Sequence, residues 1–133
     1  MLKVEHIAIA VKNMETSNAL FSKLLGTAPY KEEIVESENV KTSFFKSGET
    51  KIELIAGLTG DDAISKFIEK KGEGMHHIAY AVEDIFQEIK RLKKEGFTFV
   101  SEEPKKGADN KLICFLHPKS TNGVLIELCQ EIR

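Results

Sequence analysis

The chain contains itself twice. Residues 6–11 read His-Ile-Ala-Ile-Ala-Val and residues 77–82 read His-Ile-Ala-Tyr-Ala-Val, so five of six positions agree at an offset of 71. Lys51-Ile52-Glu53-Leu54 closes the first copy and Leu125-Ile126-Glu127-Leu128 closes the second; these two acids are 74 apart. Two unrelated matches in the same order, at nearly one offset, imply a duplicated module. Two copies are too few for a stacked array, so a single closed domain over 1–133, with internal modules at about 1–60 and 74–133, is the expectation.

Each half carries the same succession of signals. Val4–Val11 alternates as a strand does. Asn13 can cap a helix from Met14 to Leu25 that Gly26 ends, with Leu20, Phe21, Leu24 and Leu25 as its apolar stripe. Tyr30–Glu36, Val40–Lys46 and Lys51–Ile55 read as strands separated by polar turns. A short helix over Asp61–Lys71 bridges the halves, and Gly72-Glu73-Gly74 is the expected hinge. In the second half, His76–Val82 is a strand. Asp84 caps a helix through Glu95 that turns Ile85, Ile89 and Leu92 inward, and Phe97–Ser101, Lys111–Leu116 and Val124–Cys129 are strands. Each module is thus β-α-β-β-β, and the fold class is α+β.

Alternation sends successive side chains to opposite sheet faces. Ile7, Ile9 and Val11 share the bulky face of the first strand, leaving His6, Ala8 and Ala10 on the other; Ile78, Tyr80 and Val82 oppose His77, Ala79 and Ala81 in the same way. Each half therefore puts one histidine on a face otherwise lined by alanine. Glu53 and Glu127 stand inside apolar strands, where a carboxylate is costly to bury unless paired, protonated or bound to a cation. Two histidines and two glutamates at equivalent places suggest one pseudo-twofold metal site with ligands His6, Glu53, His77 and Glu127. Two imidazole nitrogens with two carboxylate oxygens suit a divalent transition metal better than calcium, which takes oxygen alone. His76 faces the other way, has Glu5 in its place in the first copy, and reads as a group supporting the ligands or on the surface; His117 has no counterpart and reads as a loop residue near the pocket rather than a ligand. The lysines of Lys90–Lys94 read as a solvated helix face, and Cys114 and Cys129 as core.

Composition narrows the function classes. The chain is 41% hydrophobic and 30% charged, a globular balance, and its net charge of −2 offers no global positive field to nucleic acid. No apolar stretch approaches 18 residues, so no membrane span is expected. The segment MLKVEHIAIAV has no signal-peptide features and reads as a strand. Two cysteines make no disulfide framework and suit a reducing cytoplasm.

The paired modules, with His on the first strand and Glu on the last, resemble the vicinal oxygen chelate (glyoxalase-like) superfamily. Within it, Glu5–Val11, Gly74-Met75-His76-His77-Ile78-Ala79, Glu103-Pro104-Lys105-Lys106-Gly107-Ala108, Phe115-Leu116-His117-Pro118-Lys119 and Gly123–Leu128 look most like the methylmalonyl-CoA epimerase family. The resemblance implies one curved mixed sheet around a metal site, with His6, Glu53, His77 and Glu127 as ligands. Cobalt is the first choice of ion, with manganese, nickel, magnesium and zinc as alternatives. It implies proton abstraction at C2 of an acyl-CoA through an enolate. Glu127 would act as base and ligand, with Glu53 or a water supplying the proton on the opposite face. Some family members carry Gln where this chain has Glu53. An additional glutamate used in one family scheme falls near Thr42, which cannot abstract a carbon proton. Lys105, Lys106 and Lys119, with Lys111 beside them, would meet the CoA phosphates, and the assembly would be a homodimer. The alternatives are a lactoylglutathione lyase (glyoxalase I)-like isomerase and a non-catalytic small-molecule-binding protein of the same fold; an extradiol dioxygenase fits less well, because Glu53 occupies its open position.

Overall fold

A computed structural model describes all residues, 1–133. Eight strands and three helices make an α+β fold: β1 Lys3–Ala10, α1 Met14–Leu25, β2 Lys31–Val35, β3 Val40–Ser47, β4 Thr50–Gly57, α2 Ala63–Lys71, β5 Gly74–Ala81, α3 Ile85–Lys94, β6 Lys105–Lys106, β7 Lys111–Leu116 and β8 Ile126–Glu131. The chain forms two compact units, one of His6–His76 and one of Met1–Glu5 with His77–Arg133.

In the unit of His6–His76 the strand order is β2-β3-β4-β1. β1 runs parallel to β4, with Ala8 beside Glu53, while β2–β3 and β3–β4 are antiparallel. The helix ends are where the local chemistry demands them. Asn13 Oδ1 accepts from the Thr16 N–H at 2.9 Å, and Gly26 stops α1 in the left-handed conformation (φ 71°), where a side chain would be strained. Val11, Met14, Phe45, Leu54 and Ala56 form the core under α1, joined by Ile9, Phe21, Leu25 and Ile52. The expected stripe on α1 is half right: Phe21 and Leu25 pack inward, but Leu20 and Leu24 are 61% and 70% exposed. Met14, about two and three turns before Phe21 and Leu25, is buried with them, and the 20/24 edge of the helix faces away from the core. Ser43 Oγ donates to Asn18 Oδ1 at 2.6 Å, which ties α1 to the underside of β3.

Asp62 caps α2, accepting from the Ser65 N–H at 2.8 Å, the Ser65 hydroxyl at 2.9 Å and the Gly60 N–H at 3.2 Å. Burial pushes its carboxyl up, but the bonds from Ser65 and the neighbouring backbone outweigh it, and the group is held below the usual carboxylate range. A Cβ at Gly57 would collide with both Asp62 carboxylate oxygens, so the end of β4 needs glycine for the cap to close. The expected hinge is tied down: Gly72 ends α2, and Glu73 accepts from the Lys12 N–H at 2.7 Å.

The other unit repeats the plan in the order β5-β8-β7-β6, with β5 parallel to β8 and the other pairs antiparallel. The chain's first residues join it, the Leu2 N–H donating to the Ala81 carbonyl at 2.8 Å. Asp84 caps α3, and Ile85, Ile89 and Leu92 pack with Val82, Cys114, Leu116 and Leu128. Phe97–Ser101 is not a strand. It makes one bridge, Phe99 to Leu116, flanked by bonds from the His117 N–H to the Thr98 carbonyl and from the Val100 N–H to the Phe115 carbonyl. Phe97 and Phe99 turn toward α3 and the core, the Glu102-Glu103-Pro104 run interrupts the ladder, and pairing resumes only at Lys105–Lys106. β8 likewise begins at Ile126 rather than Val124, whose N–H is spent in a turn on the Thr121 carbonyl. No helix is long and apolar enough to cross a membrane.

Candidate metal and catalytic site

Each unit builds one buried histidine–glutamate pair. His6 and Glu53 are 6% and 4% exposed, and His6 Nε2 lies 3.3 Å from Glu53 Oε1. His77 and Glu127 are 5% and 4% exposed, and His77 Nε2 lies 2.8 Å from Glu127 Oε1. The parallel strands explain the pairing. β1 sets Ala8 against Glu53 and β5 sets Ala79 against Glu127, so the histidine two residues earlier on the same face leans over a methyl group to reach the carboxylate. Ala8, Ala10 and Ala79 are fully buried. A larger side chain at Ala8 or Ala79 would stand between the partners.

The donor set fits a divalent metal. Both pairs offer the same atoms, Nε2 and a carboxylate oxygen, side by side. Two neighbouring ligands about 2.1 Å from an octahedral cation stand roughly 3 Å apart, close to the spacings of the two pairs. The nitrogen is imidazole, which first-row transition metals accept readily.

The register adds a feature that the sequence analysis missed. Phe44 on β3 stands directly opposite Glu53, and Phe115 on β7 directly opposite Glu127. The two phenylalanines are 71 residues apart, the same offset as the histidines, which was the available signal. The Phe115 ring meets the His77 ring edge to face, with centroids 5.3 Å apart and planes at 88°. Phe44 leans on Tyr30, with centroids 6.0 Å apart.

The remaining candidates separate cleanly. Thr42 is buried on the Phe44 side of β3 beside Glu33, whose carboxylate lies 3.5 Å from Lys31 Nζ. His76 stacks edge-on against Phe67, with centroids 4.8 Å apart. His117 Nδ1 accepts from the Lys119 N–H at 3.1 Å and caps the 3-10 turn Pro118–Ser120. Lys105, Lys106 and Lys119 are exposed, whereas Lys111 is buried and its Nζ lies 3.5 Å from Glu131. Both thiols are free and buried; Cys129 packs with Ala79, Ile113 and Phe115, and burial pushes the Cys114 thiol up.

The profile of the Glyoxalase/Bleomycin resistance protein/Dioxygenase superfamily matches residues 5–115. An uncharacterized protein of Bacillus subtilis, YqjC, is 38% identical over 98% of this chain and 93% of its own length. The ethylmalonyl-CoA/methylmalonyl-CoA epimerase of Cereibacter sphaeroides is 40% identical over 96% of this chain and 97% of its own. The crystal structure of methylmalonyl-CoA epimerase from Mycobacterium tuberculosis superposes with a TM-score of 0.94 at 30% identity, covering 98% of this chain and 89% of that one. The duplicated βαβββ architecture is therefore that of a glyoxalase-like fold, and the chain belongs to the Glyoxalase/Bleomycin resistance protein/Dioxygenase superfamily and, within it, to the family of methylmalonyl-CoA epimerases.

Proposed function

We propose that the chain is a metal-dependent methylmalonyl-CoA epimerase, interconverting the 2R and 2S forms by removing and returning the proton on C2. The observation that carries this reading is the duplicated buried pair, His6 with Glu53 and His77 with Glu127, in a chain whose relatives bear that name. The four side chains are the proposed ligands of one divalent cation, cobalt first, with manganese, nickel, magnesium and zinc as alternatives. Such an ion supplies Lewis-acid stabilisation of negative charge developing on a thioester oxygen.

The chain's own groups handle the proton. Glu127 takes it from C2, its carboxylate held by the His77 contact at 2.8 Å in a position nearly sealed from water. The enolate is planar, so a proton delivered to its other face gives the epimer. Glu53, or a water it orients, makes that delivery. Lys105, Lys106 and Lys119 are exposed point charges suited to the phosphates of the CoA tail. The working unit is a homodimer of single-domain chains, each made of two modules, and the two reduced thiols suit the cytoplasm.

The test is incubation of one methylmalonyl-CoA epimer in deuterated water. Deuterium should enter C2, stop after chelation and return with added cobalt. Turnover of a glutathione hemithioacetal without exchange at C2 would replace this reading with a glyoxalase I-like one.

A further inference from the structure

We propose that Phe115 is a positioning residue for the metal site: its ring sets the plane of the His77 imidazole beside Glu127. The inference rests on the metal reading above. Phe115 stands directly across the β7–β8 ladder from Glu127, and side chains so placed are neighbours on one face. The β5–β8 register puts Ala79 on Glu127's other flank, with His77 two residues along the same face. Phe115, Glu127 and His77 thus occupy adjoining places on one face, around the methyl of Ala79.

The ring contact is of the orienting kind. The centroids are 5.3 Å apart and the planes are at 88°, the edge-to-face arrangement that aromatic pairs prefer. An imidazole left to itself turns broadly about its terminal torsion. His77 carries out its role through Nε2, which lies 2.8 Å from Glu127 Oε1, so the plane of the ring decides where the lone pair of that nitrogen points. The alanines of β5 are too short to hold it. Groups that fix a ligand's orientation commonly change metal affinity by about ten- to a hundredfold when removed. The repeat argues the same way, because a phenylalanine stands opposite the glutamate in both units.

The experiment titrates metal-free wild type, Phe115→Leu and Phe115→Tyr with cobalt(II), followed by calorimetry and by visible absorption. Phe115→Leu should bind cobalt roughly tenfold more weakly, with shifted absorption bands. Phe115→Tyr, which keeps the ring, should stay within about twofold of wild type and retain its bands, the size of effect left when the orienting contact survives. A merely packing role would lower the melting temperature of metal-free Phe115→Leu and leave affinity and bands alone. Should that variant not fold, Phe115→Met serves in its place, keeping bulk without a planar ring. Wild-type affinity and spectrum in the ring-less variant would overturn the positioning role while the metal site stands. Failure of the wild type to bind cobalt would overturn both.

Discussion

Replacing Glu127 by Gln changes one oxygen to an amide and leaves the shape intact, so β8 should keep its register against Ala79 and Phe115. The charge is what is lost. Glu127 is 4% exposed, and its neighbours include the His77 imidazole, Ala79 and the Phe115 ring. Little water can reach that place to act as a substitute base. A positioned general base contributes about 10²–10⁴ in rate, and the seclusion of this one puts the expected loss of C2 exchange toward the upper end. That loss corresponds to about 4–5 kcal/mol of transition-state stabilisation. The assay is proton-to-deuteron exchange at C2 of methylmalonyl-CoA, run at saturating cobalt so that weaker metal binding does not pass for lost catalysis. Glu53→Gln is the internal comparison, since the repeat gives it the same place in the other unit. Its pair is looser, at 3.3 Å, and a water can share its task. Its exchange rate should fall by roughly tenfold, below the usual range for a lone general base. Metal-loaded Glu127→Gln that exchanges within threefold of wild type would refute the assignment of the base, and a larger loss in Glu53→Gln would reverse the two roles.

Asp62→Asn should destabilise the fold by about 1 kcal/mol at neutral pH, because an amide keeps the Ser65 N–H bond but loses the second oxygen that accepts from the Ser65 hydroxyl and the Gly60 N–H. Because the native carboxyl is held below its ordinary value, its contribution is present above the unfolded pKa and is lost as pH falls through the native one. The gap between wild type and variant in urea titrations should therefore close in acid, and a gap that widens there would contradict the cap. Joint replacement of Lys105, Lys106 and Lys119 by Ala should raise KM for the CoA substrate and leave kcat nearly unchanged; a KM unmoved at low salt would show that the phosphates lie elsewhere. Ile85→Ala, at a fully buried position where α3 enters its core, should cost about 2–5 kcal/mol in chemical denaturation, with C2 exchange per folded molecule retained.

Much of this molecule was legible before any fold was drawn. The duplication is a fact of the sequence. The caps Asn13 and Asp84 act within three residues of themselves, and both bond as local chemistry requires. Two-residue alternation assigned Ile9 and Val11 to one face and His6 to the other, because the pleat is a property of the strand alone. The four candidate donors came from the same rule applied twice. What failed was whatever depends on a neighbour. The spacing of Leu20 and Leu24 is right for a buried stripe, but only the seating of α1 on β3 and β4 decides which edge of the helix meets the core. Phe97–Ser101 has the composition of a strand, yet Phe97 and Phe99 are drawn toward α3 and the segment bridges only once.

The sequence by itself therefore determined the repeat, the caps that open α1 and α3, the sheet faces and the four candidate donors, all of which are local periodicities or short-range hydrogen bonds. Only the tertiary structure decided that each histidine meets its own glutamate at 3.3 and 2.8 Å and that a phenylalanine stands across from each acid. Those partners lie many residues apart along the chain, and strand register, a matter of which ladder bonds close, is what brings them side by side.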